Sequence, residues 1–167
     1  ALNKIRSLAE KDYFLHHIDY ARQVFIATDA SLLGAGFCIG TLDIDWPSQI
    51  ISNLKISRHG SKSFTIQESC MSARARELSS IGLALQAFKQ YIPRGRKIII
   101  ITDHYSLTSP ETGIANAITY NRLRKNICIM LEYDFEIIHL PNQEPIIKLV
   151  DLLSRCFSFN AEKFTFT

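Results

Sequence analysis

The sequence predicts a single α/β domain, and three observations favour this fold class. The chain has 167 residues, of which 47% are hydrophobic, which is enough for one domain with a buried core. Short β-rich apolar segments alternate with segments of helical periodicity in the order β-β-β-α-β-α-β-α. The connections between these segments are short, as in other α/β domains.

Three strands are expected at the start of the domain. They lie at Val24–Thr28, at residues 34–40 (GAGFCIG) and at residues 48–56 (SQIISNLKI). Because short loops join them, the sequence predicts an antiparallel meander. Residues 1–22 are mixed and charged, and we expect a helix followed by a connector there.

The longest helix is expected over residues 67–92. Apolar or small residues recur there at helical spacing until Pro93 and Gly95 interrupt the pattern. The remaining elements are, in chain order, a strand over residues 98–102, a helix over about 114–132, a strand over 134–140 and a helix over 146–157.

Charge, cysteine spacing and hydropathy narrow the function classes. The formal net charge of +3 permits a polyanionic partner without requiring one. The four cysteines are widely spaced and form no C-x-x-C pair, which argues against a zinc site or a disulfide framework and predicts reduced, mostly buried thiols. No secretory leader opens the chain, and no apolar run reaches the ~18 residues that a membrane span needs.

Two of the predicted strands end in the same way. Residues 24–31 read VFIATDAS and residues 97–105 read KIIIITDHY, so Asp29 and Asp103 each follow an apolar strand. A helix N-cap or a turn would explain either aspartate alone. Neighbouring strands, however, would place both aspartates at one edge of the sheet.

Two further acids lie on predicted helices. Glu77 interrupts the apolar stripe between Ala73 and Ile81, although it could also reach water at the edge of the stripe or pair with Arg74. Asp151 lies in IIKLVDLLSR near a helix N-terminus, where a solvated acid is common. Four converging carboxylates would raise one another's pKa values unless a cation held them. Oxygen ligands suit Mg²⁺ or Mn²⁺, and two such ions can serve phosphodiester hydrolysis.

Five segments between about Gln23 and Arg155 carry a resemblance to a known family. They read FIATDASLLGAGFCIG, RELSSIGLALQAFKQYI, IIITDHYSL, LEYDFEIIHLP and LVDLLSR. In this order they resemble the ribonuclease H (RNase H) domains of retroelement reverse transcriptases, particularly those of Gypsy-class LTR retrotransposons and their retroviral relatives. The resemblance implies an RNase H-like α/β fold, a five-stranded mixed sheet of order 3-2-1-4-5 flanked by helices.

The same resemblance implies a two-metal endoribonuclease. Asp29, Glu77, Asp103 and Asp151 would be both catalytic residues and ligands of two Mg²⁺ ions, with Mn²⁺ as a substitute. Asp29 would bridge the ions, Glu77 and Asp103 would hold one of them, and Asp151 the other. The implied reaction is hydrolysis of the RNA strand of an RNA–DNA hybrid during reverse transcription, which leaves 5′-phosphate and 3′-hydroxyl ends.

The resemblance also implies how the chain is organised. Residues 1–22 would connect to an upstream polymerase domain, residues 23–157 would form the RNase H domain, and residues 158–167 would be a C-terminal tail. The partners would be the RNA–DNA hybrid and the reverse transcriptase polymerase domain of one polyprotein, without a membrane. The expected location is the cytoplasm, in a virus-like particle.

Several residues are candidate substrate contacts, because RNA is distinguished from DNA by 2′-hydroxyls in the minor groove. In the turn ASLLGAG these are Ser31, Gly34 and Gly36, where glycine permits close approach, although turn geometry alone would explain the glycines. Arg76 and Tyr105 are the other two candidates, and Tyr105 could instead serve packing alone.

Three alternatives stay open. The segment PNQEPIIKLVD before the last acid is about two residues longer than the family pattern and lacks its glycine and usual asparagine, which keeps open a non-catalytic RNase H-like connection or tether module. A DDE integrase or transposase core shares the fold, but its glutamate comes last, and the order Asp, Glu, Asp, Asp favours RNase H. A plain α/β binding protein would not cluster the four carboxylates.

Overall fold

The computed structural model describes residues 16–108 and 121–156 of the chain. The strands are β1 (Gln23–Ala30), β2 (Gly34–Asp45), β3 (Ile50–Ser63), β4 (Ile98–Thr102) and β5 (Phe135–His139). The α-helices are α1 (Ile66–Ser69), α2 (Ala73–Ala87), α3 (Asn121–Leu131) and α4 (Pro145–Ser154).

The strands form one mixed sheet of order β3-β2-β1-β4-β5, which confirms the predicted order. β1, β2 and β3 pair antiparallel, as the meander prediction requires. β4 lies parallel to β1 on one side and to β5 on the other. The carboxyl ends of β1 and β4 therefore meet at the same edge of the sheet.

The four isoleucines of β4 are fully buried because both faces of the sheet are covered. Ile98 and Ile100 pack in the core that α2 and α3 share with the sheet. Ile99 and Ile101 pack on the opposite face, in the core that α4 completes. This two-sided burial is typical of a central strand in an α/β sheet.

The helix predicted over residues 67–92 is divided in two. α1 ends at Ser69 and α2 begins at Ala73, because Ser72 has an extended backbone and its side chain accepts a hydrogen bond from the amide of Ala75. α2 then ends at Ala87, before the predicted stop, and a short 3-10 turn (Lys89–Tyr91) leads to the proline.

Several other boundaries differ from the prediction. β2 and β3 extend beyond residues 34–40 and 48–56, because the two strands continue to pair with each other as a long hairpin. The part of the helix predicted at 114–132 that the structure describes is helical as α3, and the rest lies outside the described residues. Residues 16–22 form no helix, and residues 1–15 also lie outside the described part of the chain.

The four cysteines are free, but the prediction that they are mostly buried is wrong. Cys38 is buried in β2, Cys156 is partly exposed, and Cys70 and Cys128 are exposed. Cys70 lies in the break between α1 and α2 and is exposed although the next residue, Met71, is buried, and Cys128 lies on the outer face of α3. Within the described residues no helix combines the length and the apolar character that crossing a membrane requires.

Candidate functional site

Three of the four predicted acids lie together at the carboxyl edge of the sheet. Asp29 is the penultimate residue of β1, and Asp103 directly follows β4. α2 packs over this edge and carries Glu77. One oxygen of each of these carboxylates lies within 4.8 Å of the others. We call Asp29, Glu77 and Asp103 the acid cluster.

Within the acid cluster, Glu77 has the most strongly raised pKa. Its side chain is only 5% exposed, and its Oε1 accepts a hydrogen bond from the amide of Ala30 at 3.0 Å. Its Oε2 is buried and has no hydrogen-bond partner among the described residues. Burial, followed by the charge of Asp29, raises the pKa of Glu77 from 4.5 to about 9.

Asp29 is buried as well, but one of its oxygens has a protein donor. Its Oδ2 accepts a hydrogen bond from the hydroxyl of Ser154 at 2.7 Å. Burial raises the pKa of Asp29 from 3.8 to about 6, the Ser154 hydrogen bond lowers it in part, and the charges of Asp103 and Asp151 raise it again.

Asp103 is the more accessible member, and local hydrogen bonds fix the turn that follows it. The amide of His104 donates to Oγ1 of Thr102 at 3.1 Å. The imidazole Nδ1 of His104 in turn lies 2.7 Å from the hydroxyl of Ser106. The turn therefore holds Asp103 at the end of β4, beside the other two acids.

Asp151, the fourth predicted acid, does not belong to the acid cluster. It lies on α4, and its Oδ1 accepts a hydrogen bond from Nε of Arg155 at 2.6 Å. Its charge nevertheless contributes to the raised pKa of Asp29, so the two carboxylates are neighbours. In this structure Arg155 supplies the positive charge beside Asp151.

The donor set of the acid cluster fits a hard divalent cation. Three carboxylates this close repel one another when ionised, and their burial makes that repulsion expensive. The buried Oε2 of Glu77 adds an acceptor for which the described residues provide no donor. Carboxylate oxygens without nitrogen or sulfur ligands are the donors that suit Mg²⁺ and Mn²⁺.

Of the predicted substrate contacts, Ser31 follows β1, Gly34 begins β2 and Gly36 lies within β2, and Ser31 and Gly36 lie against α4. The hydroxyl of Ser31 donates to the carbonyl of Ser154 at 2.7 Å and accepts from the amide of Gly34 at 3.1 Å. A Cβ built on Gly36 would stand 2.2 Å from the carbonyl oxygen of Val150, so α4 can approach β2 only because this residue is glycine. Their contact with a substrate stays a prediction.

The other two predicted contacts differ in accessibility. The guanidinium of Arg76 is partly buried and donates to the carbonyls of Ser69 and Met71, which joins α2 to the segment before it. Tyr105 is 74% exposed, and its ring packs edge-on against His139 with centroids 5.6 Å apart. Tyr105 is thus the candidate with a free face, two residues after Asp103.

Ser154 is a site residue that the motifs did not single out. It is fully buried at the end of α4, and the polar residue three positions after Asp151 in LVDLLSR is the signal that points to it. A serine on the same helix face as a candidate ligand is a reason to expect a hydrogen bond near that ligand.

The chain matches one family over most of its length. A family model described as the RNase H-like domain found in reverse transcriptase matches residues 19–133. No curated protein sequence matches the chain significantly.

Solved structures share the fold. The RNase H1 of the halophilic archaeon Halobacterium salinarum NRC-1 superposes with a TM-score of 0.53 at 14% identity, over 82% of this chain and 98% of that one. The native protease-reverse transcriptase of prototype foamy virus superposes with a TM-score of 0.59 at 14% identity, over 86% of this chain. The foamy viral protease-reverse transcriptase in complex with dsDNA superposes with a TM-score of 0.55 at 13% identity, over 86% of this chain.

The chain covers only 19% and 28% of the two foamy virus chains, so it corresponds to a small part of each. At these identities the likeness shows the fold, which is the RNase H-like fold that the motifs imply. Together with the family match over residues 19–133, it identifies the chain as a member of the family of RNase H-like domains of reverse transcriptases.

Proposed function

We propose that this chain is a metal-dependent ribonuclease H that hydrolyses the RNA strand of RNA–DNA hybrids during reverse transcription. The observation that carries the proposal is the acid cluster, in which Asp29, Glu77 and Asp103 converge within 4.8 Å at one sheet edge. A binding protein with unrelated acids has no reason to bury such a cluster, because unpaired buried carboxylates destabilise the fold.

The acid cluster and Asp151 would hold two divalent cations, Mg²⁺ in the first place and Mn²⁺ as a substitute. When bound, such cations supply the Lewis acidity that activates water for attack on phosphorus and stabilises charge on the leaving 3′ oxygen. We assign Asp29 the central position, because it lies beside Glu77 and Asp103 on one side and feels the charge of Asp151 on the other.

The protein's own residues prepare this site before a cation binds. Burial keeps Glu77 protonated at neutral pH, since its pKa is raised to about 9, so cation binding must release a proton. The amide of Ala30 fixes Oε1 of Glu77, which leaves Oε2 for the cation. The rigid ends of β1 and β4 hold the two aspartates, which favours precise geometry.

For substrate recognition we propose that Tyr105 contacts the hybrid beside the scissile phosphate, because its ring is exposed and lies only two residues after Asp103. The surface around Tyr105 that would contact the hybrid would be supported by the other four candidates, Ser31, Gly34, Gly36 and Arg76. In this proposal the domain works beside the polymerase domain of its reverse transcriptase, in a virus-like particle in the cytoplasm.

One observation favours a second candidate, a non-catalytic RNase H-like connection or tether module. Asp151 is paired with Arg155 at 2.6 Å and stands outside the acid cluster. A domain that never loads a second cation could keep this ion pair permanently.

Cleavage of a hybrid labelled on both strands tests the proposal. We expect cuts only in the RNA strand in the presence of Mg²⁺, with 5′-phosphate and 3′-hydroxyl product ends, and no cuts in a DNA duplex of the same sequence. The variant Asp103→Asn should bind the hybrid yet leave it intact. A folded wild-type protein that binds the hybrid and cuts neither strand favours the non-catalytic module instead.

A further inference from the structure

Ser154, the last residue of α4, contacts the acid cluster directly. Its side chain is fully buried, and its hydroxyl donates to Oδ2 of Asp29 at 2.7 Å. The carbonyl oxygen of Asp151 lies 2.8 Å from the same hydroxyl as a second acceptor. A hydroxyl carries one proton, and bonds to ionised carboxylates are the stronger ones, so an ionised Asp29 is the favoured acceptor.

The backbone of Ser154 is held in place from two sides. Its carbonyl, which the helix itself leaves without a donor, accepts a hydrogen bond from the hydroxyl of Ser31 at 2.7 Å. Its amide lies 2.5 Å from the position that a Cβ on Gly36 would take, so it packs directly on the surface of β2. The end of α4 is therefore fastened to the β1–β2 turn.

We propose that Ser154 is a positioning residue for the cation site, an inference that rests on the proposed function. Its hydroxyl engages Oδ2 of Asp29, orients the carboxylate and leaves the other oxygen to a cation shared with Glu77 and Asp103. Its anchored backbone fixes the helical turn that carries Asp151. One serine thus links the acid cluster to the fourth acid.

Removal of the hydroxyl is expected to weaken cation binding rather than the fold of the sheet. The torsion that rotates an aspartate carboxylate is soft, so without its donor Asp29 would sample several orientations. Partners that orient a metal ligand typically contribute about 10- to 100-fold in metal affinity. The variant Ser154→Ala should show a loss in that range.

Ser80 offers a matched control on α2. It is also a fully buried serine, and its hydroxyl donates to the backbone carbonyl of Glu77 at 2.7 Å, so it contacts the main chain of the acid cluster but none of its carboxylates. No contact joins its hydroxyl to a side chain of the acid cluster in the described structure. Ser80→Ala therefore reproduces the loss of a buried hydroxyl without the loss of the Asp29 contact.

The deciding experiment titrates Mn²⁺ into the protein without substrate and follows free Mn²⁺ by electron paramagnetic resonance. We expect Ser154→Ala to bind Mn²⁺ about 10-fold more weakly than wild type. The control Ser80→Ala should bind Mn²⁺ like wild type. Ser154→Thr keeps the hydroxyl and should recover most of the affinity for Mn²⁺. If Ser154→Ala does not fold, Ser154→Cys replaces it, because a thiol fills the space and donates only weakly.

The hybrid cleavage assay separates this inference from the proposed function. We expect Ser154→Ala to raise the Mg²⁺ concentration for half-maximal cleavage with little change in KM for the hybrid. A folded Ser154→Ala or Ser154→Cys protein that binds Mn²⁺ like wild type overturns the positioning role. Wild-type protein that binds Mn²⁺ but cleaves no hybrid contradicts the proposed function, and the Mn²⁺ titration still decides for or against Ser154.

Discussion

Nε of Arg155 donates to Oδ1 of Asp151 at 2.6 Å, one helical turn along α4, and the acid paired in this way lies outside the acid cluster. Both side chains are well exposed, at 62% and 41%. An exposed ion pair of this kind contributes only ~0.2–1 kcal/mol, so a divalent cation can displace it. Arg155 is thus a weak competitor for the carboxylate that the proposed second cation needs.

Arg155→Gln should therefore bind Mn²⁺ about 1.5- to 5-fold more tightly than wild type, since the competing charge is removed from Asp151. Mn²⁺ titration of the protein without substrate measures this. Arg124→Gln, which removes an exposed arginine from α3, is the matched control for net charge and should change nothing. Unchanged or weaker Mn²⁺ binding by Arg155→Gln would show that Asp151 does not take part in the cation site.

The stability of the cation-free protein should fall as the pH rises. In the folded protein the pKa values of Asp29 and Glu77 are about 6 and about 9, raised from 3.8 and 4.5. Folding therefore takes up protons. The contribution of these two groups to the free energy of unfolding is fully present below their unfolded-state pKa values, and it is lost as the pH rises through their folded-state pKa values. Thermal unfolding in EDTA should give a lower Tm at about pH 8.5 than at about pH 5.5.

Glu77→Gln should remove most of this pH dependence, because glutamine is neutral and its Oε1 can still accept from the amide of Ala30. At about pH 8.5 in EDTA its Tm should exceed that of wild type by several degrees, given ~2–4 °C per kcal/mol for a protein of this size. The exposed Glu132 gives the control Glu132→Gln, whose melting curve should follow wild type. Identical pH profiles of Glu77→Gln and wild type would mean that Glu77 is not protonated on folding.

Gly36→Ala should destabilise the protein by about 1–3 kcal/mol, the usual cost of an added methylene in a packed region. The new methyl would stand 2.2 Å from the carbonyl oxygen of Val150, so α4 would have to move away from β2. Thermal unfolding measures the loss, and Mn²⁺ affinity should fall with it because α4 carries Asp151 and Ser154. Wild-type stability of Gly36→Ala would contradict the close packing described here.

Crystals soaked in Mn²⁺ should show an anomalous peak bounded by Asp29, Glu77 and Asp103, where one oxygen of each already lies within 4.8 Å. A second peak beside Asp151 should appear as Arg155 turns away. Peaks only at exposed acids, such as Asp134 at the opposite end of the sheet, would exclude the acid cluster as the cation site.

The convergence of three acids could be predicted from the sequence because it follows from short segments. Residues 24–27 and 98–101 are apolar, and each run leads into Thr-Asp, so the burial of each strand and the position of its acid can be read from the local sequence. Glu77 stands out because a charge in an apolar stripe is rare. The family resemblance supplied the strand order, which periodicity alone does not determine.

What the sequence did not reveal depends on contacts between distant residues. The break between α1 and α2 depends on Ser72 as an N-cap, although apolar periodicity continues across it. The role of Gly36 depends on the approach of α4, which joins the sheet more than a hundred residues later. The Ser154–Asp29 hydrogen bond and the separation of Asp151 likewise exist only once α4 has packed on β1 and β2.

The measurement that tests the central claim most directly is cleavage of an RNA–DNA hybrid with Mg²⁺ by wild type beside Asp29→Asn, with Asp134→Asn as the control for an exposed acid. We expect wild type and Asp134→Asn to cut only the RNA strand at equal rates. Asp29→Asn should fold but cut at least about 100-fold more slowly, since it would lose the carboxylate to which the proposed function assigns the central position between two cations. Equal cleavage by Asp29→Asn and wild type would contradict the assignment of the acid cluster as the catalytic centre.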